Sequence, residues 1–348
     1  MPGTAYWHTA VAEVNPLSIN GLWNPLSKID KDTPIVTAGS CFAQHIGMAL
    51  AKAGYNWLIT EPAPRLVPRQ LYKKYGYGIF SFRTGNIYTV ALLKQWLSWA
   101  LNKEEMPEEI WEENGRFYDP FRPNIEPTGF ASPEELFSLR QSTLAAIQRA
   151  AKEAGLWIFT LGLTEAWGNS AGGYYYPICP GTVAGHFESL SHTFHNFRYA
   201  EIYNDIIESF TMIRNINENI KFILTVSPVP LTASASGNHV LVANEYSKST
   251  LRAVAEDVKH DMDNVDYFPA YEIVTGFPFR GLFFEPNLRS VSSHGVEFVM
   301  KSFFGSLYNK FPSDPTEEKT LMEATAFRQG DDIACEEALL KAFREKII

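Results

Sequence analysis

The stretch TPIVTAGSCFAQHIGMALAKAG, residues 33–54, predicts a buried strand that turns directly into a helix. Its first part, Thr33–Ala38, is short, apolar and rich in β-branched residues, with a proline near its entrance, as is typical of a buried strand. Apolar residues then recur at helical spacing from Phe42 onward, and Gly54 stands where a helix commonly ends. A sharp strand-to-helix turn places one small polar side chain at the carboxyl end of a sheet, beside the N–H groups of the helix start. Ser40 is that residue.

Both polar residues of this turn also have a structural interpretation. Serine is among the best residues for capping a helix N-terminus, so Ser40 is either a cap or a nucleophile. Cys41 follows a buried strand, where cysteine is commonly a small core hydrophobe unless its surroundings lower the pKa of its thiol. The local pattern leaves both alternatives open.

Strands and helices alternate along the rest of the chain. Further apolar, strand-like runs lie at Asn56–Thr60, Leu156–Leu161, Lys221–Val226 and Val265–Phe268. This alternation predicts an α/β fold with a five-stranded parallel sheet and right-handed crossovers, for which we expect the strand order 2-1-3-4-5. The helical patterns lie at residues 42–53, 95–100, 132–155, 199–220, 243–258 and 296–304.

The chain divides into three parts by pattern. Residues 1–32 are rich in Pro, Asn and Trp and predict an ordered arm laid over the α/β domain of residues 33–310. Within that domain, residues 61–131 form a loop-rich insertion, which is either a lid or substrate wall or a surface insertion. Residues 311–348 carry many charges and predict a helical extension.

Charge and cysteine content limit which binding partners and which cellular location we expect. A net charge of −9 argues against nucleic acid or an anionic membrane as the main partner. No segment approaches the ~20 consecutive apolar residues of a membrane span, and the N-terminus lacks the basic and apolar regions of a signal peptide. The three cysteines are scattered and show no CxxC spacing, which favours a reducing, cytoplasmic location.

Glycine-rich nucleotide-binding motifs are absent from the sequence, so no cofactor is predicted. His186, His192 and His195 have an H-x5-H-x2-H spacing, but no HExxH motif or other known zinc spacing accompanies it. We therefore predict no metal site.

The segment Gly39-Ser40-Cys41-Phe42-Ala43 resembles the signature that names the GSCFA family, a branch similar to the SGNH/GDSL hydrolases. Segments of the same kind follow in order across most of the chain. The resemblance implies a flavodoxin-like, three-layer α/β/α sandwich and a serine esterase or O-acyltransferase acting on an O-acylated substrate, for which a carbohydrate is expected. The further segments are TLGLTEAW (160–167), PGTVAG (180–185), TVSPVP (225–230) and YSK (246–248).

The resemblance also assigns residues to the site. Ser40 would be the nucleophile, and its N–H with Gly39 and the Gly162 N–H would surround the developing oxyanion. Thr164 stands in the place of the asparagine that completes this group in SGNH enzymes. Asn86, in RTGNIYT, either matches the middle glycine block of those enzymes or belongs to an ordinary turn.

The general base is the least defined part of the predicted site. SGNH enzymes carry Asp-x-x-His before the last helix, and here the matching stretch reads Val291-Ser-Ser-His294, without the aspartate. His294 is the first choice for the base and His195 the second. Glu165 would orient the base, bind a substrate hydroxyl or pair with an arginine. The missing aspartate also supports a second hypothesis, a catalytically degenerate protein that binds glycans or small molecules.

Overall fold

A four-stranded parallel sheet forms the centre of the computed structural model, which describes residues 1–312. In spatial order its strands are Ile35–Gly39, Leu156–Leu161, Lys221–Val226 and Val265–Tyr267. These strands are buried on both faces, which explains their nearly continuous apolar sequences. In chain order the strands of the described residues are β1 (Ile35–Gly39), β2 (Trp111–Glu113), β3 (Arg116–Tyr118), β4 (Leu156–Leu161), β5 (Glu165–Asn169), β6 (Tyr175–Tyr176), β7 (His192–Asn196), β8 (Lys221–Val226) and β9 (Val265–Tyr267).

Helices cover both faces of this sheet. In chain order they are α1 (Phe42–Lys52), α2 (Val90–Ala100), α3 (Pro133–Glu153), α4 (Tyr199–Arg214), α5 (Val240–Asp261), α6 (Ala270–Thr275) and α7 (Ser293–Lys310). Helices α2 to α5 contribute to the hydrophobic core on one face, and α1, α6 and α7 to the core on the other. The mixed α/β class and the layered arrangement are therefore as predicted, and α3 begins at the predicted cap, Ser132.

The prediction of a fifth strand at residues 56–60 is not confirmed. Within this segment Trp57 forms only an isolated bridge to Ile35 at the edge of β1. The chain then leaves the edge, since the Thr60 N–H donates to the Ser81 carbonyl at 2.7 Å. Several short segments thus share the edge that one strand was predicted to fill. The remaining order, β1-β4-β8-β9, agrees with the predicted order once this strand is removed.

A small antiparallel sheet in the order β6-β5-β7 was not predicted. Its strands are short and mix glycine, tyrosine and histidine, so the sequence pattern indicates loops in this region. Strand β5 begins shortly after β4 ends, and the small sheet therefore lies beyond the carboxyl end of β4. This position makes it a wall of the candidate site.

The structure describes the N-terminal arm and the insertion, but almost none of the predicted C-terminal extension. In residues 1–32, Trp23 packs against Phe268 and Phe303 and donates to Asp266 Oδ2 at 3.2 Å. The insertion of residues 61–131 contains α2 and the β2–β3 hairpin. The predicted helical extension lies almost entirely in residues 313–348, outside the described residues.

Candidate active site

A cavity of about 570 Å³ lies at the carboxyl ends of β1, β4 and β8. Ser40 and Cys41 line it after β1, Gly162 after β4 and Ser227 after β8. Ligands of parallel α/β sheets bind at this edge, so this cavity is the candidate functional site. Much of the remaining wall is apolar and includes Leu163, Trp167, Ile178, Phe187, Phe194 and Leu231.

Gly39 allows the sharp turn that brings Ser40 to the cavity. Its φ is +124°, and a Cβ at this position would lie 2.3 Å from the Thr160 carbonyl oxygen on the neighbouring strand. Any side chain is therefore excluded here. The next N–H, that of Ser40, donates to the same carbonyl oxygen at 3.0 Å. Gly39 thus sets the path of the chain, and the two strands hold Ser40 in place.

The Ser40 side chain does not cap α1. Its Oγ is buried and has no hydrogen-bond partner among residues 1–312, and the start of α1 has no side-chain cap. Ser40 is only 2 % exposed, although it belongs to the cavity lining. A buried hydroxyl without a hydrogen bond is unfavourable in a folded protein. The capping interpretation is therefore wrong, and the hydroxyl can rotate about χ1 without losing a hydrogen bond.

Lys248 of α5 lies in the same cavity and is 1 % exposed. Its Nζ donates to the Gly162 carbonyl oxygen at 2.6 Å. Burial lowers the pKa of Lys248 to about 7, an effect that Cys41 opposes and Arg289 reinforces. A large fraction of this side chain is therefore a neutral amine at pH 7 and can accept a proton.

Gly162 brings the nucleophile candidate and this lysine together. A Cβ on Gly162 would lie 3.1 Å from the Ser40 Cβ and 2.7 Å from the Tyr88 carbonyl oxygen, so there is no room for a side chain. The same residue accepts the Lys248 hydrogen bond. Ser40 and Lys248 therefore both adjoin Gly162 at one end of the cavity.

Neither predicted histidine is among the residues that line this cavity. His294 is exposed on the first turn of α7, with its ring 5.8 Å from that of Phe283. In β7, Phe194 lines the cavity, and the next residue, His195, therefore points to the opposite face of the small sheet. There its Nε2 lies 2.9 Å from Glu201 Oε1. The structure does not bring either imidazole to Ser40.

The N–H groups expected around an oxyanion have other hydrogen bonds. The Ser40 N–H bonds to Thr160, as described above, and the Gly162 N–H donates to the Tyr88 carbonyl oxygen at 3.2 Å. Thr164 is fully buried, and its hydroxyl donates to Asn196 Oδ1 at 2.7 Å. Tyr88 of the insertion and Asn196 of the small sheet thus accept the hydrogen bonds of Gly162 and Thr164, two donors that were expected to bind the oxyanion.

The remaining predicted site residues, Glu165 and Asn86, lie in two separate cavities. Glu165 lines the Ser40 cavity and accepts a hydrogen bond of 2.6 Å from Ser234 Oγ, which attaches residues 232–235 to the wall. Asn86 lines a neighbouring cavity of about 330 Å³, and its Nδ2 donates to the Tyr88 hydroxyl at 3.0 Å.

Arg289 is a second basic residue of the Ser40 cavity. It precedes α7, lines the cavity and donates from Nε to the Pro230 carbonyl oxygen at 3.1 Å. The positive charge of Arg289 contributes to lowering the pKa of Lys248, because it disfavours a second cation nearby. This end of the cavity therefore favours negative charge.

Residues 1–312 contain neither a cluster of metal ligands nor a membrane-spanning helix. Within residues 1–312, no group of three or more His, Cys, Asp and Glu side chains is arranged to hold a metal ion. His192, from the histidine cluster noted in the sequence, instead accepts the Glu188 N–H at 3.0 Å. None of the helices in this part of the chain combines the length and apolar character needed to span a bilayer.

A family model described as the GSCFA family matches residues 34–303. The match extends from the residue before β1 into α7, and it includes Ser40, Gly162 and Lys248. The chain therefore belongs to the GSCFA family, which confirms the prediction from the sequence motifs. Neither a curated protein nor a solved structure matches the chain.

Lys248 is the residue that the sequence interpretation missed. It lies in YSK, one of the segments that carry the family resemblance, but no chemistry was assigned to it. The available signal was its position on the buried stripe of α5, between Asn244 and Leu251 at helical spacing. A lysine on the buried face of a helix is uncommon unless it has a partner or a function.

Proposed function

We propose that this protein is a serine esterase or O-acyltransferase in which Ser40 is the nucleophile and Lys248 is its general base. One observation carries the proposal: a buried serine hydroxyl without a hydrogen bond and a buried lysine with a pKa near 7 adjoin the same residue, Gly162. A general base is most effective when its pKa is close to the working pH. Serine with lysine as base is a known variant of nucleophilic catalysis.

The reaction proceeds in two steps through an acyl-enzyme. Ser40 Oγ attacks the carbonyl carbon of the ester while its proton passes to the neutral Lys248 amine. The tetrahedral intermediate collapses, the bond to the leaving alcohol breaks, and Lys248 returns the proton to that alcohol. Water or an acceptor alcohol then attacks acyl-Ser40, and Lys248 takes the proton of the attacking group. When the second intermediate collapses, this proton returns to Ser40 Oγ.

The negative charge of the tetrahedral intermediate must be stabilised by groups other than the Ser40 and Gly162 N–H groups that the resemblance implies. The N–H groups of Ser40 and Gly162 already donate to carbonyl oxygens. The positive end of α1 begins next to Ser40, and the Arg289 guanidinium lines the same cavity. We assign stabilisation of the oxyanion to these two sources of positive potential.

The substrate class follows from the cavity walls. Trp167, Phe187 and Phe194 offer aromatic surface for an acyl group or for the apolar face of a sugar ring. An O-acylated carbohydrate or a related small-molecule ester fits this lining. The relation to SGNH enzymes, a flavodoxin-like fold and a cytoplasmic location belong to the same proposal.

Labelling by a fluorophosphonate probe and hydrolysis of p-nitrophenyl acetate test the nucleophile. Ser40→Ala should abolish both. The matched control is Ser209→Ala, because Ser209 Oγ is also buried without a partner among the described residues but lies on α4, away from the cavity. Labelling that persists in Ser40→Ala would reject the assignment, and its loss in Cys41→Ala would then place the nucleophile on the neighbouring thiol.

The second hypothesis, a binding protein that has lost its catalytic group, is favoured by one observation. Neither His195 nor His294 lines the cavity of Ser40. This hypothesis predicts a wild-type protein that binds sugar esters, detectable by calorimetry, but takes no label and releases no p-nitrophenol. The presence of Lys248 beside Gly162 makes the catalytic hypothesis the stronger one.

A further inference from the structure

The second cavity lies directly beside the Ser40 cavity, and no role has been assigned to it. Its volume is about 330 Å³, and Pro177 lines both cavities. The two are also linked through Tyr88, which lines the first cavity and whose hydroxyl accepts the hydrogen bond from Asn86 of the second. Apolar side chains form much of its wall and include Ile79, Phe80, Pro123, Ile125, Pro127 and Val183.

Two residues of this cavity carry buried polar atoms that have no partner among residues 1–312. They are Oδ1 of Asn86 and Nη2 of Arg122. Arg122 is only 2 % exposed, and its Nε donates to Asp119 Oδ2 at 2.8 Å. Leaving a buried acceptor and a buried cationic donor without hydrogen bonds is unfavourable, and more so for the charged group. Their combination matches a ligand that has both a hydroxyl group and an anionic oxygen.

The charges around this cavity also favour an anion. Its charged lining residues within the described part of the chain are Lys73, Lys74 and Arg122, which are all cationic. Asp119 neutralises Arg122 only in part, because its other oxygen accepts a hydrogen bond of 2.9 Å from Arg140. One carboxylate thus serves two guanidinium groups, and Nη2 of Arg122 keeps no hydrogen-bond partner among residues 1–312.

We propose that the second cavity binds the alcohol component of the ester, and that this alcohol is a hydroxylated carboxylic acid of the sugar-acid class. The ligand places a hydroxyl on Asn86 Oδ1 and its carboxylate on Arg122, and a further hydroxyl reaches acyl-Ser40 where the two cavities meet beside Pro177. This assignment rests on the proposed function, since it takes the acyl group to occupy the Ser40 cavity.

In the transfer direction the chemistry balances without any co-reactant beyond the acceptor. The acceptor oxygen forms a bond to the acyl carbon of acyl-Ser40, and the bond between that carbon and Ser40 Oγ breaks. The acceptor proton passes through Lys248 to Ser40 Oγ. Nothing is oxidised or reduced.

Acetyl transfer from p-nitrophenyl acetate tests the assignment, with D-glucuronate as the acidic acceptor and D-glucose as the neutral one. Mass spectrometry measures the acetylated sugar, and p-nitrophenol release measures total turnover. The ratio of transfer to hydrolysis should be at least about tenfold higher with glucuronate than with glucose. In Asn86→Leu this ratio for glucuronate should fall by about tenfold. Val183→Phe, which fills the cavity from another side, should lower it as well.

The control is Asn20→Leu, because Asn20 is exposed and lies in the N-terminal arm, away from both cavities. It should retain the wild-type ratio. An unchanged ratio in both Asn86→Leu and Val183→Phe would overturn the assignment of the cavity, and equal transfer to glucose and glucuronate would overturn the acidic class.

Calorimetry of D-glucuronate with the Ser40→Ala protein separates this inference from the proposed function, because binding then needs no catalysis. Binding that weakens about tenfold in Ser40→Ala/Asn86→Leu supports the cavity even if the enzyme assignment fails. Absence of binding to Ser40→Ala overturns the inference, even if wild-type hydrolysis through Ser40 is demonstrated.

Discussion

Replacing Lys248 by methionine should remove activity and at the same time stabilise the fold at acidic pH. Methionine keeps the length and apolar character of the side chain but cannot carry a charge. As the proposed general base, Lys248 contributes a factor of about 10² to 10⁴ in rate, which the variant should lose. The wild-type rate should rise with pH and level off above about 7, because only the neutral amine accepts the proton.

The magnitude of the stabilisation follows from the change in pKa. Folding lowers the pKa of Lys248 from its ordinary 10.5 to about 7. Since one pKa unit corresponds to about 1.4 kcal/mol, burying the cation costs about 5 kcal/mol at pH values below 7. Between pH 7 and 10.5 the unfolded chain binds more protons at this position than the folded one. The stability contributed by this group therefore rises with pH across that window.

These values give a pH-dependent difference between the variant and the wild type. Lys248→Met removes the free-energy cost of burying this cation, which is about 5 kcal/mol at pH 6 but only about 2 kcal/mol at pH 9. Loss of the hydrogen bond to Gly162 subtracts about 1 to 3 kcal/mol at both values. Lys248→Met should thus be more stable than the wild type at pH 6, and this advantage should shrink by roughly 2 to 3 kcal/mol by pH 9.

Urea unfolding followed by tryptophan fluorescence at pH 6 and pH 9 measures these differences. The matched control is Lys259→Met, a partly exposed lysine on the same helix, for which no such pH-dependent gain is expected. If Lys248→Met is less stable than the wild type at pH 6, or if the difference does not change with pH, Lys248 is not a buried cation of lowered pKa. The choice of general base would then be withdrawn.

Three further substitutions test the framework of the site. Gly39→Ala should lower the free energy of unfolding by about 3 kcal/mol or more, measured in urea, because the added Cβ would lie 2.3 Å from the Thr160 carbonyl oxygen at a φ of +124°. Burial raises the pKa of Asp119, but two arginines outweigh it and hold the pKa below 3.8, so wild-type stability from this group is lost as pH falls below that value. Asp119→Asn should cost about 3 to 5 kcal/mol at pH 7 in thermal or urea unfolding, and an unchanged stability would contradict the ion-pair assignment. Ser234→Ala removes the hydrogen bond to Glu165 and should increase hydrogen exchange at residues 232–235, at a cost of about 1 kcal/mol in local stability.

The central strands could be predicted from the sequence to the residue. Leu156–Leu161 and Lys221–Val226 are nearly continuous apolar runs because both faces of the sheet are covered by helices, and this pattern needs no tertiary information to recognise. The turn at Gly39 and Ser40 and the family were predictable for a related reason, since the turn and each of the family motifs consist of residues that are adjacent in the chain. The predicted strand at 56–60 failed because competing segments occupy the edge of β1.

The chemistry of the site depends on contacts between distant parts of the chain. Gly162 and Lys248 are 86 positions apart, and the hydrogen bond between them places the lysine where burial lowers its pKa. The Gly162 N–H is engaged by Tyr88 of the insertion, and His195 is turned away by the alternation of an unpredicted strand. By itself the sequence determined the four strands of the central sheet, the first crossover and the position of the Ser40 hydroxyl at the end of β1, because these follow from local periodicity and glycine geometry. Only the tertiary structure decided which group lies beside that hydroxyl, since proton affinity and hydrogen bonding depend on neighbours brought together by folding.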